Sequence, residues 1–210
     1  MPAYKIPSEK RIEIVAKTSV KYKDFFNLEE FYKHVYLWLK DYGWSGTDGK
    51  KSTDGEEDAF ENMYHEVVYL GNVKEMWMWW RLVKDTDNPY IRWHMDIDWH
   101  ILGLKVQEIM VGGNKVKAHM GECEIIIKTY VEYDYRGQWE KNPILKHFAD
   151  VFPKRIYRRR LYEEQKKDLY EETYIFQSFI KKWLKLKNYI PFEQLEAFHP
   201  TYSYPSHMKQ

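Results

Sequence analysis

Apolar and polar residues alternate along much of this chain, and residues at helical spacing flank the alternating segments. Residues Arg11–Lys21, RIEIVAKTSVK, alternate in their first half and predict a strand. A helix should follow. Asn27 stands three residues before Glu30, the spacing of a capping box, and Leu28, Phe31, Tyr32, Val35 and Leu39 recur on one face before Gly43 closes the segment. Phe25, Phe26, Tyr36 and Trp38 widen that face, so the helix is expected to be buried on more than a narrow stripe. From Gly43 to Asp58 the chain reads GWSGTDGKKSTDGEED, aperiodic and rich in turn formers; a mobile surface loop is expected, with a lid over a pocket as the functional alternative.

The middle of the chain predicts an antiparallel run of strands: NMYHEVVYLG, then VKEMWMWWRLVK, then a turn at DTDNP into YIRWHMDIDWHILGLKV. Setting Lys84 opposite Ile91 pairs Leu82 with Trp93, Trp80 with Met95, Met78 with Ile97 and Met76 with Trp99. The opposite face then pairs Arg81 with His94, Trp79 with Asp96, Trp77 with Asp98 and Glu75 with His100. A slip of one residue would set apolar sides against polar ones, so the pattern predicts one core face and one polar face carrying two tryptophans. The apolar phase then switches at Gly103 and again at Gly121, with the turn VGGNK between them. Those glycines fall nearly opposite one another on paired strands, as in a sheet that curls through bulges.

After DYRGQWEKNP the pattern turns helical. Asn142 before Pro143 starts a segment with Ile144, Leu145, Phe148, Val151 and Phe152 on one face, and Pro153 breaks it. A long helix is expected from about Lys154 to Lys187, charged in its first half and striped with Leu169, Thr173, Phe176, Ile180, Trp183 and Leu184 in its second. The tail from Tyr189, with its prolines and aromatics, predicts a short helix and an extended arm. The expected class is α+β: a curled antiparallel β-sheet packed against an N-terminal helix and a long C-terminal helix. Residues 1–188 would form one domain and 189–210 the arm.

Composition refines this picture. At 210 residues one core is the natural expectation, and an 18% aromatic content makes that core large per residue. A net charge of +1 argues against a dedicated nucleic-acid scaffold. The one cysteine, Cys123, shares the parity of Ile125 and Ile127 and belongs to the core; it excludes an intrachain disulfide and Cys-rich zinc sites. With no signal-peptide pattern and no apolar run of about 18 residues, a soluble, cytoplasmic protein is expected.

His94, Asp96, Asp98 and His100 line one side of a strand. Same-face neighbours lie about 6.6 Å apart, so His94 and His100, about 20 Å apart, cannot share an ion. A Glu75, Asp98 and His100 trio is the candidate metal set. The simpler account is a polar outer face on which the carboxylates accept from the indoles of Trp77 and Trp79 while Arg81 and Arg92 balance charge. His65 and Glu66 are strand neighbours and point to opposite faces, so they form no dyad. No nucleophile elbow, phosphate loop, dinucleotide fingerprint or zinc helix is present, no cofactor is expected, and nothing argues for an enzyme. Arg155, Arg158, Arg159 and Arg160 beside Lys154 form a candidate polyanion site, although neighbouring carboxylates can satisfy them, as they can Lys181, Lys182, Lys185 and Lys187.

The order strand, helix, curled sheet, long helix over Arg11–Lys187 resembles the START-type helix-grip layout, with one N-terminal helix where two are usual. QWEKNPILKHF, with Trp139, Asn142 and Pro143, is similar to small archaeal proteins of that layout. The helix-grip resemblance implies a cavity for an apolar ligand between sheet and long helix. The leading expectation is therefore a non-enzymatic binding module whose face of Met76, Met78, Trp80, Trp93, Met95 and Trp99 encloses a hydrophobic small molecule or is filled by the long helix. The alternatives are an assembly subunit, homo-oligomeric or bound to other proteins through its arm and aromatic outer face, and an RNA or polyanion binder. Exposure of Trp77 and Trp79 would mark an interface.

Overall fold

The computed structural model describes residues 11–47, 60–111, 114–137 and 163–186. The expected break at Pro153, the first half of the long helix, the arginine cluster and the C-terminal arm lie outside them. The described residues form an open antiparallel sheet: β1 (Ile12–Phe26), β2 (Ser45–Gly46), β3 (Glu61–Tyr69), β4 (Val73–Asp85), β5 (Ile91–Val111) and β6 (Asn114–Tyr133). Their order is β1-β6-β5-β4-β2, with β3 also paired to β4. Two helices cover one side, α1 (Leu28–Asp41) and α2 (Glu163–Trp183). This is the α+β architecture that the pattern predicts. No helix among the described residues is long and apolar enough to cross a membrane.

The sheet curls where the phase changes. Leu102 faces Glu122 but Lys105 faces Met120, so one residue is left over on β5 at Gly103, whose φ is +66°. Opposite it, a Cβ on Gly121 would come within 3.1 Å of Leu104 Cα, so the strands approach too closely there for a side chain.

At the ends of α1 the backbone is satisfied locally. Asn27 Oδ1 accepts from Glu30 N at 3.3 Å. At the other end Trp44 N donates to Leu39 O and Gly43 N to Lys40 O, a Schellman motif with Gly43 at φ +80°. The motif carries the chain straight into the core. Trp44 is buried and Ser45–Gly46 pairs with Val83 and Leu82, so the first residues of the expected surface loop are structural; residues 48–59 lie outside the described set.

Three further expectations shift. Phe25 and Phe26 end β1 rather than widening α1, because the strand runs five residues past Lys21. The β4–β5 register is displaced by two residues: Lys84 faces Trp93, Leu82 Met95, Trp80 Ile97 and Met78 Trp99. The parity survives, as hydrophobic alternation requires, but the turn is wider than inferred, closed by Thr86 Oγ1 donating to Ile91 O at 2.8 Å. Finally, α2 stops at Trp183 because Lys185 adopts φ +55° and closes a second Schellman motif, with Leu186 N donating to Lys181 O and Lys185 N to Lys182 O.

The core lies between sheet and helices. Phe31 stands edge-on to Trp99 at 5.5 Å between ring centres, Tyr32 edge-on to Trp80 at 4.9 Å, and Trp38 lies against Phe176 at 4.9 Å. The expected stripe is buried on α2 at Leu169, Thr173, Phe176 and Ile180 and continues to Leu184 just past its end, while Trp183 is only partly buried. Across the interface the Thr129 hydroxyl donates to Thr173 Oγ1 at 3.0 Å, since the Thr173 hydroxyl itself donates to Leu169 O at 2.6 Å.

Candidate functional site on the outer face of the sheet

The side of the sheet away from the helices is built in rows across β4, β5 and β6. Trp77, His100 and Glu124 make one row, Trp79, Asp98 and Ile126 the next, then Arg81, Asp96 and Lys128, then Val83, His94 and Tyr130. Strand pleat brings these side chains to one surface.

Arg81 organises the middle of that surface. Its Nη1 lies 2.7 Å from Asp98 Oδ1, its Nε 3.7 Å from Asp96 Oδ1, and its guanidinium sits 5.6 Å from the centre of the Trp79 ring. Arg81, not the indole nitrogens, is therefore what meets Asp98. Arg92 serves Asp85 instead, at 2.7 Å. Burial pushes the Asp96 carboxyl above its usual range, and the Arg81 charge only partly offsets that.

His100 and Glu75 come together, with Nε2 2.9 Å from Oε1, and the imidazole stacks on Trp77 at 5.2 Å and 11°. His65 also lies against Trp77, at 5.5 Å. Glu75 accepts from Tyr69 Oη at 2.8 Å as well, and the His100 contact followed by that hydroxyl holds its carboxyl below the usual range. Two members of the metal trio thus meet, while the third, Asp98, is occupied by a cation. Among the described residues no group of three or more His, Cys, Asp or Glu is placed to hold a metal ion. Glu66 turns to the other face, 2.7 Å from Lys74, as strand alternation requires of a neighbour of His65.

The sequence reading missed a buried pair. His94, expected on the polar outer face, is 4% exposed; its Nε2 lies 2.8 Å from Glu132 Oε2 and its ring stacks on Tyr130 at 4.8 Å and 7°. The signal lay in the β5–β6 hairpin: counting back from Val111 opposite Asn114 through one bulge sets Tyr130 across from His94.

Trp79 is the exposed centre of the face. It retains 43% of its surface in water, beside half-buried Trp77. The concave side is the reverse: Met76, Met78, Trp80, Trp93, Met95 and Trp99 are 0–7% exposed and packed into the core. The indole nitrogens of Trp80, Trp93 and Trp99 have no acceptor among the described residues. Cys123 is buried too, which pushes its thiol up to about 12.

Comparison of the chain with protein-family models, with curated proteins and with solved structures finds no match.

Proposed function

We propose that the protein is a non-enzymatic binding module that docks a protein partner through the outer face of its sheet, with Trp79 at the centre. The observation that carries this reading is the 43% exposure of the Trp79 indole, within a surface shared with Trp77 and Arg81. Tryptophan, tyrosine and arginine dominate the binding energy of protein interfaces, because each removes a large, rigid surface from water while keeping a polar handle. The flanking ion pairs supply a polar rim that excludes water without filling the centre. Intracellular placement belongs to this reading, since a lone buried thiol needs no oxidising compartment.

Native mass spectrometry of the full chain, purified gently from its host or a close surrogate, tests it. A stoichiometric protein complex that Trp79→Ser abolishes, with the circular dichroism unchanged, is expected. A complex indifferent to Trp79→Ser, or a chain that carries no protein partner, overturns it.

One observation favours a second reading, an apolar ligand on the concave side. The unpartnered indole donors of Trp80, Trp93 and Trp99 would suit a hydrophobic molecule bearing oxygen acceptors. Such a ligand would have to displace the Phe31 and Tyr32 rings that cover Trp80 and Trp99. A defined small extra mass, retained by Trp79→Ser and lost on denaturation, would identify it.

A further inference from the structure

The sheet is open, and its two long edges differ in chemistry. The β1 edge carries exposed Lys17, Lys21 and Lys23, with Lys21 and Lys23 both near Glu122. Charged side chains of this kind oppose the addition of a further strand. The β3 edge, ENMYHEVVY over Glu61–Tyr69, has no lysine, arginine or proline. Beside exposed Glu61, Asn62 and His65 it presents exposed apolar and aromatic residues: Tyr64 at 51%, Val68 at 55%, Tyr69 at 51%, and Leu70 just beyond it at 100%. The one carboxylate near its centre is already engaged, Glu66 with Lys74 and with the hydroxyl of Tyr64. Among the described residues no strand pairs with the outer side of β3, and the strand lacks the lysines that line β1.

From this asymmetry we infer that β3 is a dimerisation strand, pairing antiparallel with β3 of a second copy of this chain to make one continuous sheet. A two-fold pairing needs a segment that complements itself. Centred on His65, the nine residues of β3 overlap fully: Met63 faces Val67, Tyr64 faces Glu66, Asn62 faces Val68 and Glu61 faces Tyr69. No like charges stand opposite one another in this pairing. Sliding by two residues one way would set Glu66 against Glu66, and sliding the other way would centre on Tyr64 and overlap only 61–67, so the His65-centred pairing has the fullest overlap without opposed charges. The net charge of +1 presents almost no long-range repulsion between copies. A β3–β1 contact would instead be head-to-tail, building a ring or a filament rather than a two-fold dimer.

The consequence is geometric. β3 lies beside β4, and His65 and Met63 pair with Trp77 and Trp79. Joining two β3 edges therefore sets the two outer aromatic faces side by side across the dyad. The inference does not depend on what that face binds, and its test reads mass rather than partner capture.

Light scattering coupled to size exclusion on the full chain is expected to give a dimer whose mass falls toward the monomer on dilution. Val68→Lys, at a solvent-exposed position, should yield a monomer with unchanged circular dichroism. His65→Cys should form an interchain disulfide under mild oxidation, since it opposes its own copy and Cys123 is buried, whereas Ser19→Cys on β1 should not. A monomeric wild type at all concentrations, a dimer unaffected by Val68→Lys, or cross-linking through Ser19→Cys in place of His65→Cys would each overturn the inference.

Discussion

Trp44 Nε1 donates a hydrogen bond to Glu172 Oε1 at 2.7 Å, joining the residue that leaves α1 to the middle of α2. The same carboxylate receives Lys84 Nζ from β4, at 2.9 Å and 2.8 Å to its two oxygens. One side chain thus ties a helix end, a second helix and a central strand. Both charges are largely withdrawn from water, so each depends on the other.

Removing that charge should loosen all three elements. Glu172→Gln leaves Lys84 without its counter-ion and is expected to cost about 1.5–3 kcal/mol. At about 2–4 °C per kcal/mol for a chain of this size, thermal denaturation would show the loss directly. Trp44→Phe, which deletes only the indole donor, should cost less. Equal melting temperatures for Glu172→Gln and the parent would show that the carboxylate is idle.

The bulge predicts two different glycine phenotypes. Gly121→Ala would place a Cβ 3.1 Å from Leu104 Cα and 3.2 Å from Leu102 O, and backbone atoms cannot swing aside. A loss of about 1–3 kcal/mol is expected, as for overpacking in a core. Gly103→Ala meets open space and suffers only from its φ of +66°, at about 1–2 kcal/mol. Gly103→Asn should recover part of that, because Asn tolerates the left-handed region, whereas Gly121→Asn should not; urea denaturation would separate them.

Lys185 occupies a left-handed position, φ +55°, where helices usually place glycine. Lys185→Gly should therefore stabilise the end of α2 by about 1 kcal/mol, a rise of about 2–4 °C in Tm. No gain would mean that the lysine side chain supplies a compensating contact.

Asp96 gives a pH signature. Burial raises its carboxyl above the unfolded value, so the folded state prefers the proton. The favourable contribution is fully present below the unfolded range and is lost as pH rises through the raised folded value. Asp96→Asn should accordingly be at least as stable as the parent near neutrality, with its advantage shrinking on acidification. The opposite sign would mean that attraction to Arg81 outweighs desolvation.

The α+β class, the helix start at Asn27, the bulge at the paired glycines and the face assignment of β4 and β5 were all legible along the chain. Each depends on residues near one another in sequence: a cap three residues from its partner, a phase switch at one glycine, a period of two. The β4–β5 register was legible only in parity, because any even displacement keeps apolar opposite apolar; the Thr86 turn selects the pairing. His94 was misread for a related reason. Polar alternation placed it on the outer face, correctly, but its burial comes from its surroundings, including Tyr130 and Glu132 on β6, thirty-six and more residues away.

Sequence by itself determined where strands and helices form and which side of each is apolar, since those follow from local backbone chemistry and hydrophobic periodicity. Tertiary structure alone decided that Phe31 and Tyr32 pack on Trp99 and Trp80, that Tyr130 and Glu132 lie against His94, and that lysine-lined β1 and lysine-free β3 stand at the two edges of the sheet. Burial is a property of what packs from elsewhere in the chain, and periodicity carries no record of which face a helix will cover.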